Sequence, residues 1–227
     1  MTGIAERLAT VRASIATACE RCGRDPRDVA LLAVSKFQPP DAVRAAIAAR
    51  QLEFGENRVQ ELASKAAALA KDPVRWHMIG SVQTNKVEAL VAIPGLALVH
   101  SIDRERLVTR LAEVCAASGR KLDVLVQMNA TGEATKHGVP LAELEAVARL
   151  VVASGVLVLR GTMAMGPLTG DAAPVFRAVA RAHGELRERL GLPLPILSLG
   201  MSGDLDAAIA AGSTLVRVGT AIFGERN

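Results

Sequence analysis

Short apolar segments recur along the chain and alternate with longer amphipathic segments that are rich in alanine. The apolar segments have the length of strands, and their scarcity of polar residues is typical of strands that are buried on both faces. We predict eight strands, over residues 29–35, 52–55, 74–79, 96–100, 122–128, 156–159, 195–199 and 214–218.

The segments between these strands carry apolar residues at helical spacing, so strands and helices alternate along the chain. Such alternation favours right-handed strand–helix–strand units and a parallel sheet. Eight strands after a leading helix predict a (β/α)8 TIM barrel with an additional N-terminal helix, and an open doubly wound sheet is the alternative. We expect one domain over residues 1–227, with residues 1–24 forming a helix that packs on the barrel.

The composition narrows the class of protein. With 50% hydrophobic residues but only four Phe, one Trp and no Tyr, the core must be built from Ala, Val, Leu and Ile. The net charge of +4 comes from basic residues interleaved with acids, and stacking aromatics are scarce, so we expect no nucleic-acid binding. No apolar run approaches the length of a membrane span, so we expect no membrane association.

The three cysteines do not predict a metal site or a disulfide. Cys19 and Cys22 form a lone CxxC within the first helical segment, with no second pair and no nearby His, which favours two small helical residues over zinc or redox use. The odd number of cysteines, and a start that resembles an amphipathic helix instead of a signal segment, predict a reducing, cytoplasmic setting.

Lys36 follows the first predicted strand and directly precedes Phe37. A lysine in this position either extends its amine to solvent or is held at the mouth of a pocket. In a barrel, the loops after the strand ends share one face and build the site. The polar residues near the other strand ends would gather on that face: Glu56, Asn57, Ser81, Ser101, Asp103, Gln127, Asn129, Arg160, Thr162, Ser202 and Thr220.

Two glycine-containing segments after the last strands indicate an anion site. Ser202 lies beside glycines just before a helix, and Gly219 and Thr220 precede a short final turn. Helix N-termini present unpaired N–H groups, small residues let a phosphate approach them, and barrels commonly bind phosphate after the last two strands. Taken singly, the same residues would be only an N-cap and a turn.

Arg217 lies within an otherwise apolar strand, so its guanidinium should face the barrel interior near the upper rim. Its acceptor is either a carboxylate, such as that of Glu56 or Asp204, or the ring nitrogen of a bound cofactor. A lysine, a phosphate cradle and a cation directed at a pyridine nitrogen are the set that pyridoxal phosphate (PLP) requires. In that arrangement Lys36 would form a Schiff base with PLP.

Seven motifs occur in order between Val29 and Gly224: VSK, FGENRVQE, WHMIGSVQTNK, HSID, VLVQMN, LRGTMAM and LGMSGDLDAAIAAGSTLVRVGTAIFG. Together they resemble the pyridoxal phosphate homeostasis protein family. Members of that family are single-domain PLP-binding barrels related to the barrel domain of alanine racemase. The resemblance covers nearly the whole chain.

The resemblance implies a set of PLP-binding residues: Lys36, Asn57, Met78, Gly80, Ser202, Arg217, Gly219 and Thr220. Lys36 is implied to hold PLP covalently, the residues after the last two strands to hold its phosphate, and Arg217 to face the pyridine nitrogen. An arginine partner leaves that nitrogen largely unprotonated, which weakens the electron sink and predicts poor carbanion chemistry. We expect no metal ligand and no committed catalytic residue.

Some positions depart from the family pattern, at Arg58, Ser81, Val82, Thr162, Gly166 and Gly203. They alter contacts at the rim and any partner surface but leave the lysine, arginine and phosphate elements intact. His77 is expected to be a hydrogen-bonded barrel residue instead of a base. Lys136, in the loop after the fifth strand, is the candidate for guiding an anionic cofactor in or out, or for a second PLP position.

Three functions stay open. The first is a monomeric homeostasis protein that holds PLP and releases it to PLP-dependent apoenzymes. The second is a weak alanine racemase; in the racemase family a second base is supplied by Tyr from a separate domain, and this chain has no Tyr. The third is a lyase of sugar phosphates that uses Lys36 as its own Schiff base.

Overall fold

The computed structural model describes residues 3–130 and 137–224. Its strands are β1 (Ala30–Val34), β2 (Glu53–Glu56), β3 (Arg75–Met78), β4 (Leu96–Ile102), β5 (Leu122–Asn129), β6 (Val139–Pro140), β7 (Leu157–Ala164), β8 (Ile196–Ser198) and β9 (Leu215–Val218). Parallel pairs join β1-β2-β3-β4-β5-β7-β8-β9, and β9 pairs again with β1. This closed ring confirms the predicted barrel over the open sheet, and β6 is a short addition beside β5.

Helices follow the strands and cover the outside of the barrel. They are α1 (Ile4–Arg21), α2 (Pro40–Ala48), α3 (Val59–Ala68), α4 (Val87–Val91), α5 (Glu105–Ala117), α6 (Leu144–Ala153), α7 (Ala173–Leu190), α8 (Leu205–Ala210) and α9 (Thr220–Phe223). In α5, for example, Leu107, Leu111 and Cys115 are buried at helical spacing, which gives the helix one apolar stripe. Among the described residues, none of the helices is long and apolar enough to cross a lipid bilayer.

The predicted N-terminal helix is present as α1. Its buried residues include Leu8, Val11, Ile15 and Cys19, and the helix packs against α2, α8 and α9. After its last turn, Arg24 donates from one nitrogen to the carbonyl oxygens of residues 209 (2.7 Å) and 213 (2.8 Å). These bonds tie α1 to the end of α8 and the loop that follows it.

The sixth predicted strand is longer than its apolar run indicates. The sequence predicts an end at Leu159, but β7 continues to Ala164. Leu159 and Gly161 pair with successive residues of β5, so Arg160 is an extra residue within the strand and not part of a loop. A Cβ at Gly161, whose φ is +150°, would lie 1.8 Å from the carbonyl oxygen of Ile196, so this bulge requires glycine.

Two groups of apolar residues fill the molecule. The larger is shared by strands and helices, and the smaller, made by strand residues alone, contains Leu98, Leu125 and Met163. His77 and His100 are buried as well, with Nδ1 of His77 3.0 Å from Nε2 of His100. His77 is therefore the hydrogen-bonded barrel histidine that the sequence predicts.

Candidate functional site

A cavity of about 380 Å³ opens where the carboxyl ends of the strands meet. This is the face on which (β/α)8 barrels carry their sites. Six of the predicted PLP-binding residues line it: Lys36, Asn57, Ser202, Arg217, Gly219 and Thr220. Side chains that sequence reasoning did not single out supply apolar surface: Ile79, Met163, Met165, Met201 and Phe223.

Lys36 is half-buried at the cavity wall, two residues beyond the end of β1. The next residue, Phe37, has a φ of +66°, which is unfavourable for a side chain other than glycine and needs support from its surroundings. Gln38 closes the turn by donating its N–H to the carbonyl oxygen of Ser35 (3.0 Å). At the rim, the guanidinium of Arg58 lies 5.8 Å from the centre of the Phe37 ring, a cation–π contact made by one of the residues that depart from the family pattern.

A buried ion cluster supports the turn that carries Lys36. Lys65 in α3 donates from Nζ to the carbonyl oxygen of Ser35 (2.6 Å), to Glu56 Oε1 (2.7 Å) and to Glu61 Oε1 (2.8 Å). Glu61 also accepts the N–H of Phe37 (2.5 Å), and Glu56 accepts the hydroxyl of Ser35 (2.6 Å). The backbone is therefore held on both sides of Lys36. We call Glu56, Glu61 and Lys65 the lysine clamp.

Burial raises the pKa of Glu56, and hydrogen bonds from Lys65 and Ser35 oppose that shift. Its Oε2 atom is buried and has no hydrogen-bond partner within the described chain. Glu56 is one of the two carboxylates that the sequence offers as a partner for Arg217. The structure pairs it with Lys65 instead.

Arg217 is 5% exposed and points across the top of the barrel. Its NH1 donates to the carbonyl oxygen (2.9 Å) and hydroxyl (2.6 Å) of Ser198, and its NH2 donates to the carbonyl oxygen of Ala164 (2.9 Å). These partners are neutral, and burial lowers the pKa of Arg217 to about 10, an effect that the charge of Asp204 partly opposes. The guanidinium therefore stays charged at neutral pH inside the cavity wall.

The predicted phosphate-binding residues lie together at one side of the cavity. Ser202 is exposed at the rim, in a turn that is closed by a bond from the Met201 N–H to Asp204 Oδ1 (2.5 Å). Thr220 is the first residue of α9, where backbone N–H groups lack partners within the helix. A Cβ at Gly219 would lie 3.0 Å from the carbonyl oxygen of Val34, so glycine lets the end of β9 approach β1 beside Lys36.

Two residues of the predicted set do not line the cavity. Met78 is fully buried in the core shared by strands and helices, while its neighbour Ile79 faces the cavity. Side chains alternate along a strand, so His77 and Ile79 point inward and Met78 points toward the helices. Gly80 has a packing role, because a Cβ there would lie 2.2 Å from the carbonyl oxygen of Asn57.

Other residues were harder to find from the sequence. In the sequence, Lys65 and Glu61 of the lysine clamp lie within a helix and not at a strand end, and their spacing of four residues is typical of an ordinary helix pair. Thr162, one of the positions that depart from the family pattern, is buried with its hydroxyl 2.9 Å from His183 Nδ1. Lys136, the candidate for a second PLP position, lies outside the described residues.

The family model described as alanine racemase, N-terminal domain, matches residues 7–227. Fold and sequence therefore define the class of protein as a barrel of the alanine racemase N-terminal type. An alanine racemase from Corynebacterium glutamicum shares this fold with a TM-score of 0.71 at 17% identity, over 96% of this chain and 62% of that one.

Two further comparisons narrow the class. A pyridoxal phosphate homeostasis protein of Pseudomonas aeruginosa is 45% identical over 227 residues, which cover 100% of this chain and 97% of that protein. The structure of PipY from Synechococcus elongatus with PLP bound is 36% identical, with a TM-score of 0.85 over 97% of this chain and 100% of that chain. The chain belongs to the pyridoxal phosphate homeostasis protein family.

Proposed function

We propose that the protein binds PLP in the cavity at the carboxyl ends of the strands, holds it on Lys36 and releases it to PLP-dependent apoenzymes. The observation that carries the proposal is that Lys36 and the buried Arg217 share one cavity. The hydrogen-bond acceptors that Arg217 has in the described chain are neutral oxygens. A buried cation without a carboxylate in contact favours an anionic ligand.

The residues of the cavity fit the parts of PLP. Its volume of about 380 Å³ lies in the range of small-ligand sites. Ser202, Gly219 and Thr220 offer a hydroxyl and helix N-terminal amides to a phosphate, and the apolar side chains can pack on the ring. When bound, PLP supplies an aldehyde that condenses with the Lys36 amine, with loss of one water, to form a Schiff base.

The cavity supports storage of PLP more than catalysis. Among the described residues that line it, the titratable side chains are Lys36 and Arg217. Racemisation needs a second base opposite the lysine, and aldol cleavage needs a group that accepts the substrate's proton. The whole chain has no Tyr. We therefore expect an alanine racemase activity that is weak, and we favour PLP release over a sugar-phosphate lyase.

Borohydride trapping tests covalent capture of PLP. The protein is loaded with PLP, reduced with borohydride and digested with a protease, and the mass of each peptide is measured by mass spectrometry. We expect a visible absorbance band before reduction and a reduced pyridoxyl phosphate label on the peptide that contains Lys36. Lys36→Ala should lose that label, whereas the control Lys71→Ala, an exposed residue beyond α3, should keep it. An unlabelled Lys36 in loaded wild-type protein would refute the Schiff base.

Transfer is tested separately from capture. PLP-loaded protein is mixed with an excess of a PLP-dependent apoenzyme, and the recovered enzyme activity is followed over time. Wild-type protein should restore activity, and borohydride-reduced protein should not. L-alanine racemisation is measured on the same sample, and rapid formation of D-alanine without transfer would favour the racemase. Size-exclusion chromatography with light scattering tests the monomer that we propose.

A further inference from the structure

A line of polar side chains crosses the barrel interior from Arg217. NH1 of Arg217 donates to the hydroxyl of Ser198 (2.6 Å), and that oxygen lies 3.5 Å from Nδ1 of His100. Nε2 of His100 lies 3.0 Å from Nδ1 of His77, whose Nε2 is 3.1 Å from Oε2 of Glu53. We call Ser198, His100, His77 and Glu53 the interior relay.

The interior relay connects the two ends of the barrel. Glu53 is the first residue of β2 and lines a second cavity, of about 570 Å³, at the amino ends of the strands. Ser198 is the last residue of β8 and contacts Arg217 beside the PLP cavity. Since β4 and β8 are not neighbours in the ring, the contact between His100 and Ser198 crosses the interior.

The hydrogen-bond direction follows from Arg217, because a guanidinium only donates. Ser198 accepts from Arg217, and Nδ1 of His100 is the acceptor that the geometry offers to the hydroxyl proton, so we infer that Ser198 donates to it. His100 must then carry its proton on Nε2 and donate it to Nδ1 of His77. His77 in turn carries its proton on Nε2, toward Glu53. One arrangement of protons thus gives the same donor-to-acceptor direction to every group between the guanidinium and the carboxylate.

The charges at both ends agree with this direction. Desolvation by burial lowers the pKa of His100 well below its usual value, and the charge of Arg217 lowers it further, so this ring stays neutral. The contact with His77 lowers the pKa of Glu53, and Arg75 lies 3.0 Å from the same carboxylate. The bond from Ser198 to His100 is long and the His77 N–H is out of line with Glu53, so these two links are electrostatic more than directional.

We propose that the interior relay positions the guanidinium of Arg217 and links its charge to the carboxylate of Glu53 at the far end of the barrel. Its members are positioning residues, since none of them lines the PLP cavity. This proposal depends on the proposed function in one respect, which is that PLP is the ligand that Arg217 contacts. Two of the contacts, Arg217–Ser198 and His100–His77, are hydrogen bonds of normal length, and electrostatic contacts in the low-dielectric interior join them to each other and to Glu53, so a change at Glu53 should reach Arg217.

The proton arrangement is tested first, without PLP. Nitrogen-15 NMR of the histidine side chains distinguishes protonated from unprotonated ring nitrogens. We expect His77 and His100 both to be neutral with the proton on Nε2. A proton on Nδ1 of His100 would overturn the interior relay whether or not the protein binds PLP.

The coupling is tested by PLP titrations of variants, followed by absorbance. Ser198→Ala should raise the dissociation constant about tenfold, the equivalent of one hydrogen bond. Glu53→Gln should raise it roughly threefold, because the aligned bonds transmit only part of the field of the carboxylate. In a His100→Phe background, which cuts the relay, Glu53→Gln should have no further effect. Should this variant not fold, His100→Asn serves the same purpose.

Asp123→Asn is the matched control. Asp123 lines the same second cavity at the amino ends of the strands, and its side chain has the same 34% exposure as that of Glu53. Like Glu53, it pairs with an arginine: Arg160 lies 2.8 Å from its carboxylate. Its loss should leave the dissociation constant unchanged. The relay would be overturned if Glu53→Gln and Asp123→Asn changed the dissociation constant equally. It would also be overturned if Glu53→Gln changed the dissociation constant as much in the His100 variant as in the wild-type protein. Failure of wild-type protein to bind PLP would instead overturn the proposed function.

Discussion

Lys65→Met removes the cation at the centre of the lysine clamp. Lys65 is 5% exposed and Glu56 is fully buried, so the substitution leaves a carboxylate without its cation in the protein interior. Breaking a buried ion pair from one side costs about 3–5 kcal/mol. For a protein of this size, that loss lowers the midpoint of thermal unfolding by roughly 10 °C.

The loss of stability should depend on pH in a defined direction. Burial raises the folded-state pKa of Glu56, and the variant lacks the Lys65 bond that opposes the shift. The folded variant therefore binds this proton more tightly than the unfolded chain, where the glutamate pKa is about 4.3. The loss of stability caused by Lys65→Met should be smallest near a pH of about 4.3 and should grow as the pH rises through the raised folded-state pKa of Glu56.

Urea unfolding followed by circular dichroism, at several pH values, measures both effects. Lys71→Met, at an exposed position just beyond the same helix, is the control and should change stability by less than about 0.5 kcal/mol. Adding Glu56→Gln to Lys65→Met should restore part of the loss, because it removes the unpaired charge. A deficit below about 1 kcal/mol, or one that is equal at every pH, would refute this view of the lysine clamp.

Three further predictions concern single sites. Arg217→Met should weaken PLP binding about 10- to 100-fold, the equivalent of one charge-assisted hydrogen bond, as measured by absorbance titration; unchanged affinity would remove Arg217 from the site. Gly161→Ala should cost more than about 4 kcal/mol in urea unfolding, whereas Gly155→Ala, at φ +68° in open space, should cost only about 1–2 kcal/mol; equal losses would argue against the bulge. Burial raises the pKa of the Cys115 thiol, so a thiol reagent at pH 8 should modify the exposed Cys22 first, as followed by mass spectrometry; equal rates would contradict the burial of Cys115.

The architecture was readable from local pattern because each strand is a short apolar run and each helix has one apolar stripe. The same pattern placed Lys36 and Thr220 just beyond strand ends and Arg217 within the last strand, and the closed barrel brings them to one cavity. The additional strand β6 has only two residues, too few for a periodic signal. The extension of β7 begins at Arg160, a polar residue that looks like the end of a run.

It was harder to predict which face of the sheet each strand side chain occupies. Met78 and Ile79 are both apolar neighbours at the end of β3, and only the pairing register decides which one meets the cavity. The interior relay could not be foreseen for a different reason. Ser198 and His100 lie 98 residues apart in sequence, so their contact arises from closure of the barrel and not from any local motif.

A crystal structure of the PLP-loaded protein is the most direct test of the central claim. We predict continuous density from Nζ of Lys36 to PLP, with its phosphate at hydrogen-bonding distance from Ser202 or the amides at Thr220, and with Arg217 beside the pyridine nitrogen. PLP bound elsewhere on the molecule, or held in this cavity with its phosphate away from those residues and no bond to Lys36, would contradict the proposed site.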